Sequence, residues 1–84
     1  MTIRVRFFAA LREQVGRSTL EIDAIEPANV CGLLAALRHR FDEAAFGALR
    51  APNIRVAVNQ ELVDSDAVLR DGDEVAFMPP ITGG

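Results

Sequence analysis

The chain has 84 residues, half of them apolar and a quarter charged, with a formal net charge of −3. That is one small domain, which buries only roughly 63% of the surface its unfolded chain exposes. A single cysteine excludes an internal disulfide, a single histidine excludes a multi-histidine metal site, and the acidic balance argues against a broad nucleic-acid footprint.

No apolar run nears the roughly 18 residues of a membrane span. Arg4 and Arg6 interrupt the first apolar stretch, so neither a membrane anchor nor a signal peptide is expected, and the cytoplasm is the expected location. All nine basic residues are arginine. Without lysine there is no Schiff-base chemistry and no isopeptide bond to this chain's own side chains.

In chain order, Thr2 to Phe8 alternates, with Ile3, Val5 and Phe7 on one face and Arg4, Arg6 and Phe8 on the other, as in a half-buried strand. Ala9 to Val15 forms two helical turns, ended by Gly16 in the left-handed conformation. Thr19 to Ile22 alternates again and reads as the antiparallel partner of the first strand.

The main helix runs from Val30 to Phe41, on an apolar stripe of Val30, Leu33, Leu34, Leu37 and Phe41. Asn29 is its expected N-cap, and Arg38 and Arg40 sit in its last turns, where cations suit the helix dipole. Cys31 falls at the edge of the stripe as a small half-buried side chain, and His39 falls on the polar side. Asp42 to Arg50 is weakly helical and Pro52 breaks the chain.

Ile54 to Val58 is a strand with Ile54, Val56 and Val58 inward; Asn59-Gln60 is a tight turn, and Leu62-Val63 is a short partner strand. Asp71-Gly72-Asp73 turns into Glu74 to Met78, with Val75 and Phe77 inward. One main helix across one face of a mixed five-stranded sheet is an α+β arrangement. Early and late strands flanking a helix suggest the β-grasp, or ubiquitin-like, fold, with residues 1–78 as the domain and 79–84 as an extended tail.

Few residues offer chemistry of their own. There is no Ser-His-Asp set, no phosphate-cradling glycine loop and no metal-ligand cluster. Asp64, Asp66, Asp71, Asp73 and Glu74 gather in two neighbouring loops, where turn chemistry accounts for them. The end of the chain differs. Pro79-Pro80 cannot donate backbone hydrogen bonds and must stop the last strand. The six residues Pro79, Pro80, Ile81, Thr82, Gly83 and Gly84 span roughly 20 Å as a flexible arm. Two glycines can thread a channel too narrow for other residues, and the free carboxylate of Gly84 becomes an electrophile once adenylated. Phe8, Met78 and Leu62 are the expected partner interface, an apolar patch on the sheet face away from the main helix.

Three stretches, VRFFAAL (Val5 to Leu11), VAVNQELV (Val56 to Val63) and above all LRDGDEVAFMPPITGG (Leu69 to Gly84), resemble the small sulfur-carrier subunits of molybdopterin synthase, the MoaD-like family. Met78 stands where many relatives place an aromatic. The resemblance implies a cycle. A ubiquitin-activating-like adenylyltransferase would use ATP to adenylate Gly84, and a sulfur donor would convert the acyl-adenylate to a thiocarboxylate. The large synthase subunit would then receive the tail, and sulfur would pass to cyclic pyranopterin monophosphate. No bound cofactor, metal, nucleic acid or membrane enters this scheme. The same fold and Gly-Gly end also fit a thiamine-pathway sulfur carrier and a ubiquitin-like modifier conjugated through Gly84. Pro79-Pro80 and the length of the chain favour the molybdopterin pathway over thiamine.

Overall fold

The computed structural model describes residues 2–23 and 28–79. Its elements are β1 (Thr2–Phe7), α1 (Ala10–Val15), β2 (Thr19–Asp23), β3 (Ala28–Asn29), α2 (Val30–Leu37), α3 (Glu43–Leu49), β4 (Arg55–Val58), β5 (Glu61–Leu62), β6 (Val68–Leu69) and β7 (Glu74–Met78). Five strands form one sheet in the order β2-β1-β7-β4-β5. β1 and β7 run parallel at its centre, and every other neighbour in it is antiparallel. With helices over one face, this mixed sheet is the expected α+β, β-grasp fold.

Strand alternation builds the core. Ile3, Val5 and Phe7 of β1, Leu20 and Ile22 of β2, and Val75 and Phe77 of β7 are buried against Leu11, Val30, Leu33, Leu37 and Leu49 from the helices. The Phe7 ring stacks on Phe77, centroids 6.0 Å apart, and meets Phe41 edge-on at 5.7 Å. Each large side chain fully buried this way contributes about 1.5–3 kcal/mol relative to exposure.

Local chemistry fixes the ends. α1 closes at Gly16, whose φ of 81° suits glycine and whose N–H donates to Arg12 O. Its start is strained: Ala9 has φ 52° and ψ −129°, with no side-chain cap. Asn29 caps α2, its Oδ1 accepting from Gly32 N at 2.7 Å. A Cβ at residue 32 would stand 3.2 Å from that oxygen, so Gly32 admits the close approach of the cap. Two further first-turn donors, Val30 N and Cys31 N, donate to Ala67 O and Ser65 O, tying the β5–β6 loop to the helix start.

The structure departs from the sequence reading in five places. α2 ends at Leu37 rather than Phe41. Arg38, His39 and Arg40 form a turn in which His39 N and Arg40 N donate to Ala36 O and Leu37 O, and Asp42 then caps α3 through Ala45 N. Phe41 therefore reaches the core from a loop, and Arg38 and Arg40 lie beyond the last helical turn. Cys31 is exposed rather than half-buried, because it precedes the inward residues Leu33, Leu34 and Leu37 on the wheel. Ala57, on the outward side of β4, is buried; so is its cross-strand neighbour Ala76, since methyl groups on central strands lie below the longer side chains around them. The last partner strand is Glu61–Leu62, with Val63 packed against the core instead. Finally, β3 and β6 pair as a separate two-stranded ribbon, with Ala28 opposite Leu69 and Asn29 opposite Val68. Two-residue strands carry no periodicity from which to read them.

Candidate functional site: the open sheet face and the end of β7

β1 and β7 are parallel with Phe7 opposite Phe77, so Phe8 and Met78 each follow that pair by one residue. Alternation turns both away from the core. The ladder continues one step through Phe8 N donating to Phe77 O at 3.2 Å. The Arg6 guanidinium lies 4.9 Å from the centroid of the Phe8 ring, and Phe8 is 36% exposed. Met78 is half-buried and stands opposite Arg55 of β4.

Two residues before Met78 along β7, Ala76 is flanked by Arg6 on β1 and by Ala57 on β4, and Ala57 is in turn opposite Leu62 on β5. Leu62 is 62% exposed. The open face therefore carries an apolar band of Phe8, Met78, Ala76, Ala57 and Leu62, with Arg6 and Arg55 at its borders. The structure brings the three expected patch residues onto one face. Ala57 and Ala76, its floor, were not singled out from sequence; their signal is a small residue at the outward position of two strands that are otherwise rich in larger apolar residues.

Charges on this face are lightly engaged. Arg4 pairs with Glu21 at 3.3 Å and Arg6 with Glu74 at 3.6 Å, both at the surface where such pairs contribute little. The acidic loops spend carboxylates on backbone. Asp71 Oδ1 accepts from Thr2 N at 2.8 Å, and Asp73 Oδ2 accepts from Arg70 N at 2.8 Å. His39 is exposed. Among the described residues no group of three His, Cys, Asp or Glu side chains is placed to hold a metal ion, and no helix is long and apolar enough to cross a membrane.

Pro79 follows β7 directly and is half-buried. The remaining tail residues singled out from sequence, Pro80, Ile81, Thr82, Gly83 and Gly84, lie outside the described residues. Whatever follows Pro79 starts from the C-terminal end of a central strand, beside the apolar band. The arrangement has one exposed apolar face with the end of β7 at its edge. It suits a protein that docks on others.

The fold defines a ubiquitin-like β-grasp domain. The chain belongs to the ThiS family, whose family model matches residues 5–84. It is 46% identical over 82 residues to the molybdopterin synthase sulfur carrier subunit of Escherichia coli, covering 98% of this chain and 99% of that protein. Among solved structures it is similar to a chain of the protein–protein complex of subunits 1 and 2 of the molybdopterin-converting factor from Helicobacter pylori, with a TM-score of 0.71, 27% identity and full coverage of both chains. It also resembles small archaeal modifier protein 1 of Haloferax volcanii, with a TM-score of 0.77 and 28% identity over 95% of this chain and 98% of that one.

Proposed function

We propose that this chain is the sulfur carrier of a molybdopterin synthase. The observation that carries the reading is the end-to-end likeness to the Escherichia coli carrier subunit, together with the Pro-Pro-Ile-Thr-Gly-Gly ending. The Helicobacter pylori complex of two converting-factor subunits supports a large subunit as the partner of the open face.

Under this reading the Gly84 carboxylate attacks the α-phosphorus of ATP on an adenylyltransferase, and pyrophosphate leaves. A sulfur nucleophile then attacks the acyl carbon of the adenylate, and AMP leaves, which gives the thiocarboxylate. This chain supplies no acid–base group to either step; both belong to the partners. Its own contributions are reach, the narrow Gly83-Gly84 end, and a docking face that orients the arm. Sulfur then passes to cyclic pyranopterin monophosphate inside the large subunit. ATP is consumed by the partner, and no cofactor binds here.

The test is to incubate the protein with a candidate adenylyltransferase, ATP and a sulfide source, and to weigh it intact. The expected product is heavier by the difference between one sulfur and one oxygen atom, and it forms molybdopterin when mixed with the large subunit and precursor. An unchanged mass overturns the carrier reading. Covalent adducts with other proteins through Gly84 would instead favour the modifier role carried by the archaeal relatives.

A further inference from the structure

The helical layer carries a surface of its own, across the core from the open sheet face. α2 and α3 each end on an arginine, Arg38 as the C-cap of α2 and Arg50 as the C-cap of α3. Both guanidiniums lie over one ring, that of Phe46, at 5.9 and 5.7 Å from its centroid. Phe46 is half-buried and packs against the core, so the ring is a fixed platform. His39 and Arg40 follow Arg38 in the same turn, and both are exposed.

The fold itself makes little use of these cations. Helix ends attract positive charge, but here backbone donors already occupy the last carbonyls: Arg38 N donates to Leu34 O, His39 N to Ala36 O, Arg40 N to Leu37 O and Arg50 N to Phe46 O. The helix macrodipole offsets at most about half a charge at each end. Nearby carboxylates are not engaged either. Asp42 Oδ1 accepts from Ala45 N, and among the described residues neither Asp42 nor Glu43 forms an ion pair with Arg38, Arg40 or Arg50. Stacking on Phe46 is what holds Arg38 and Arg50. It restricts two long side chains before any ligand arrives, so an incoming anion sacrifices less of their rotamer freedom.

Charge narrows the ligand. A guanidinium presents a planar fork of donors that matches a carboxylate, and stacking uses its face while leaving that fork free. Two forks on one ring suit two carboxylates of one segment. A long polyanion fits less well. Asp42 and Glu43 follow Arg40 closely in sequence, and the whole chain carries a net charge of −3, so a phosphate backbone running past the cluster meets like charge. We propose that the Arg38–Phe46–Arg50 platform binds a short acidic segment of a partner protein through paired carboxylates. This surface shares no residue with the apolar band and does not depend on the sulfur-carrier reading.

The probe is the peptide acetyl-Glu-Glu-Ala-Glu-Glu-amide, titrated at low ionic strength into the isotopically labelled protein and followed by NMR of the arginine Nε–H groups and the Phe46 ring. Saturable changes are expected at Arg38, Arg50 and Phe46 and not at Arg4 or Arg6, and added salt should reduce the affinity. The same peptide with glutamine in place of glutamate should not bind, a comparison that needs no protein variant. Arg38→Gln and Arg50→Gln, both at exposed positions, should each weaken binding roughly threefold. Phe46→Leu keeps both charges but frees them from the ring, and should weaken binding by a similar factor. Equal binding of the glutamine peptide, equal changes at Arg4 and Arg6, unchanged affinity in any of the three variants, or no binding at millimolar peptide overturns the proposal. So does tighter binding of an oligodeoxythymidine of equal charge, which would assign the platform to nucleic acid.

Discussion

Asn59 and Asp73 bind two turns into one unit. Asn59 Nδ2 donates to Asp73 Oδ1 at 2.9 Å, and Asn59 Oδ1 accepts from Glu74 N at 3.1 Å. Asn59 itself has φ 50°, and Gln60 follows at φ 72°, the paired positive values of a two-residue hairpin turn. One side chain thus sets the β4–β5 hairpin and the entry to β7, the strand that carries the tail.

Replacing Asn59 should show both roles. Asn59→Ala is expected to cost about 1–2 kcal/mol, from lost hydrogen bonds and a backbone conformation alanine resists. Asn59→Gly keeps the conformation and should lose less. Urea unfolding of the two variants measures the difference, and equal losses would assign the whole effect to the hydrogen bonds.

Ala9 offers the reverse case. Its positive φ and extended ψ are strained for any residue with a Cβ. Ala9→Gly should raise stability by about 1 kcal/mol, after allowing for glycine's greater freedom in the unfolded chain. A fall in the urea midpoint would contradict the strain.

Phe7 lies between Phe77 and Phe41 with 2% exposure. Phe7→Ala should cost about 3–5 kcal/mol, a large share of the roughly 5–15 kcal/mol that stabilises an ordinary domain. Calorimetry should show a strongly lowered melting temperature, whereas Leu62→Ser, at an exposed position, should leave it within a degree or two.

The patch should separate binding from folding. Phe8→Asp and Met78→Asp are expected to weaken docking of the large subunit and of the adenylyltransferase at least tenfold, a loss typical of a central apolar anchor. Their melting temperatures should fall little. Unchanged affinity for both partners, measured by calorimetric titration, would remove the band from the docking surface.

The terminus should separate chemistry from both. Deleting Gly84, or adding one residue after it, is expected to abolish sulfur loading with no change in melting temperature. Intact mass after the loading reaction is the readout. Loading of the deleted variant would show that the carboxylate's position is not what the partner reads.

Most of this architecture is legible because its signals are local. Alternation in β1, β2 and β7 names Ile3, Val5, Leu20, Ile22, Val75 and Phe77 as core, and all are buried. Asn29, Gly16 and Asn59 announce their caps and turn through chemistry that acts within a few residues. The end of α2 is less legible, because Phe41 keeps helical spacing yet reaches the core from a loop. The same holds for β3 and β6, whose pairing rests on contacts between segments about forty residues apart. The patch is readable as a parity, from Phe8 and Met78 standing out of phase with their inward neighbours.

The central place of β7 also has a consequence for biosynthesis. Thr2 N reaches Asp71 across 69 residues of chain, and β1 finds its parallel partner only in residues 74–77. Such long-range pairing delays the main folding event until nearly the whole of this chain has left the ribosome. Until then β1 and β4 both lack the strand that joins them, and the β1–β2 and β4–β5 hairpins have no common sheet. A nascent chain interrupted before β7 would therefore expose the apolar edges of two half-sheets to chaperones and proteases. Only a chain translated through β7 acquires the open face that β1, β7 and β4 build together.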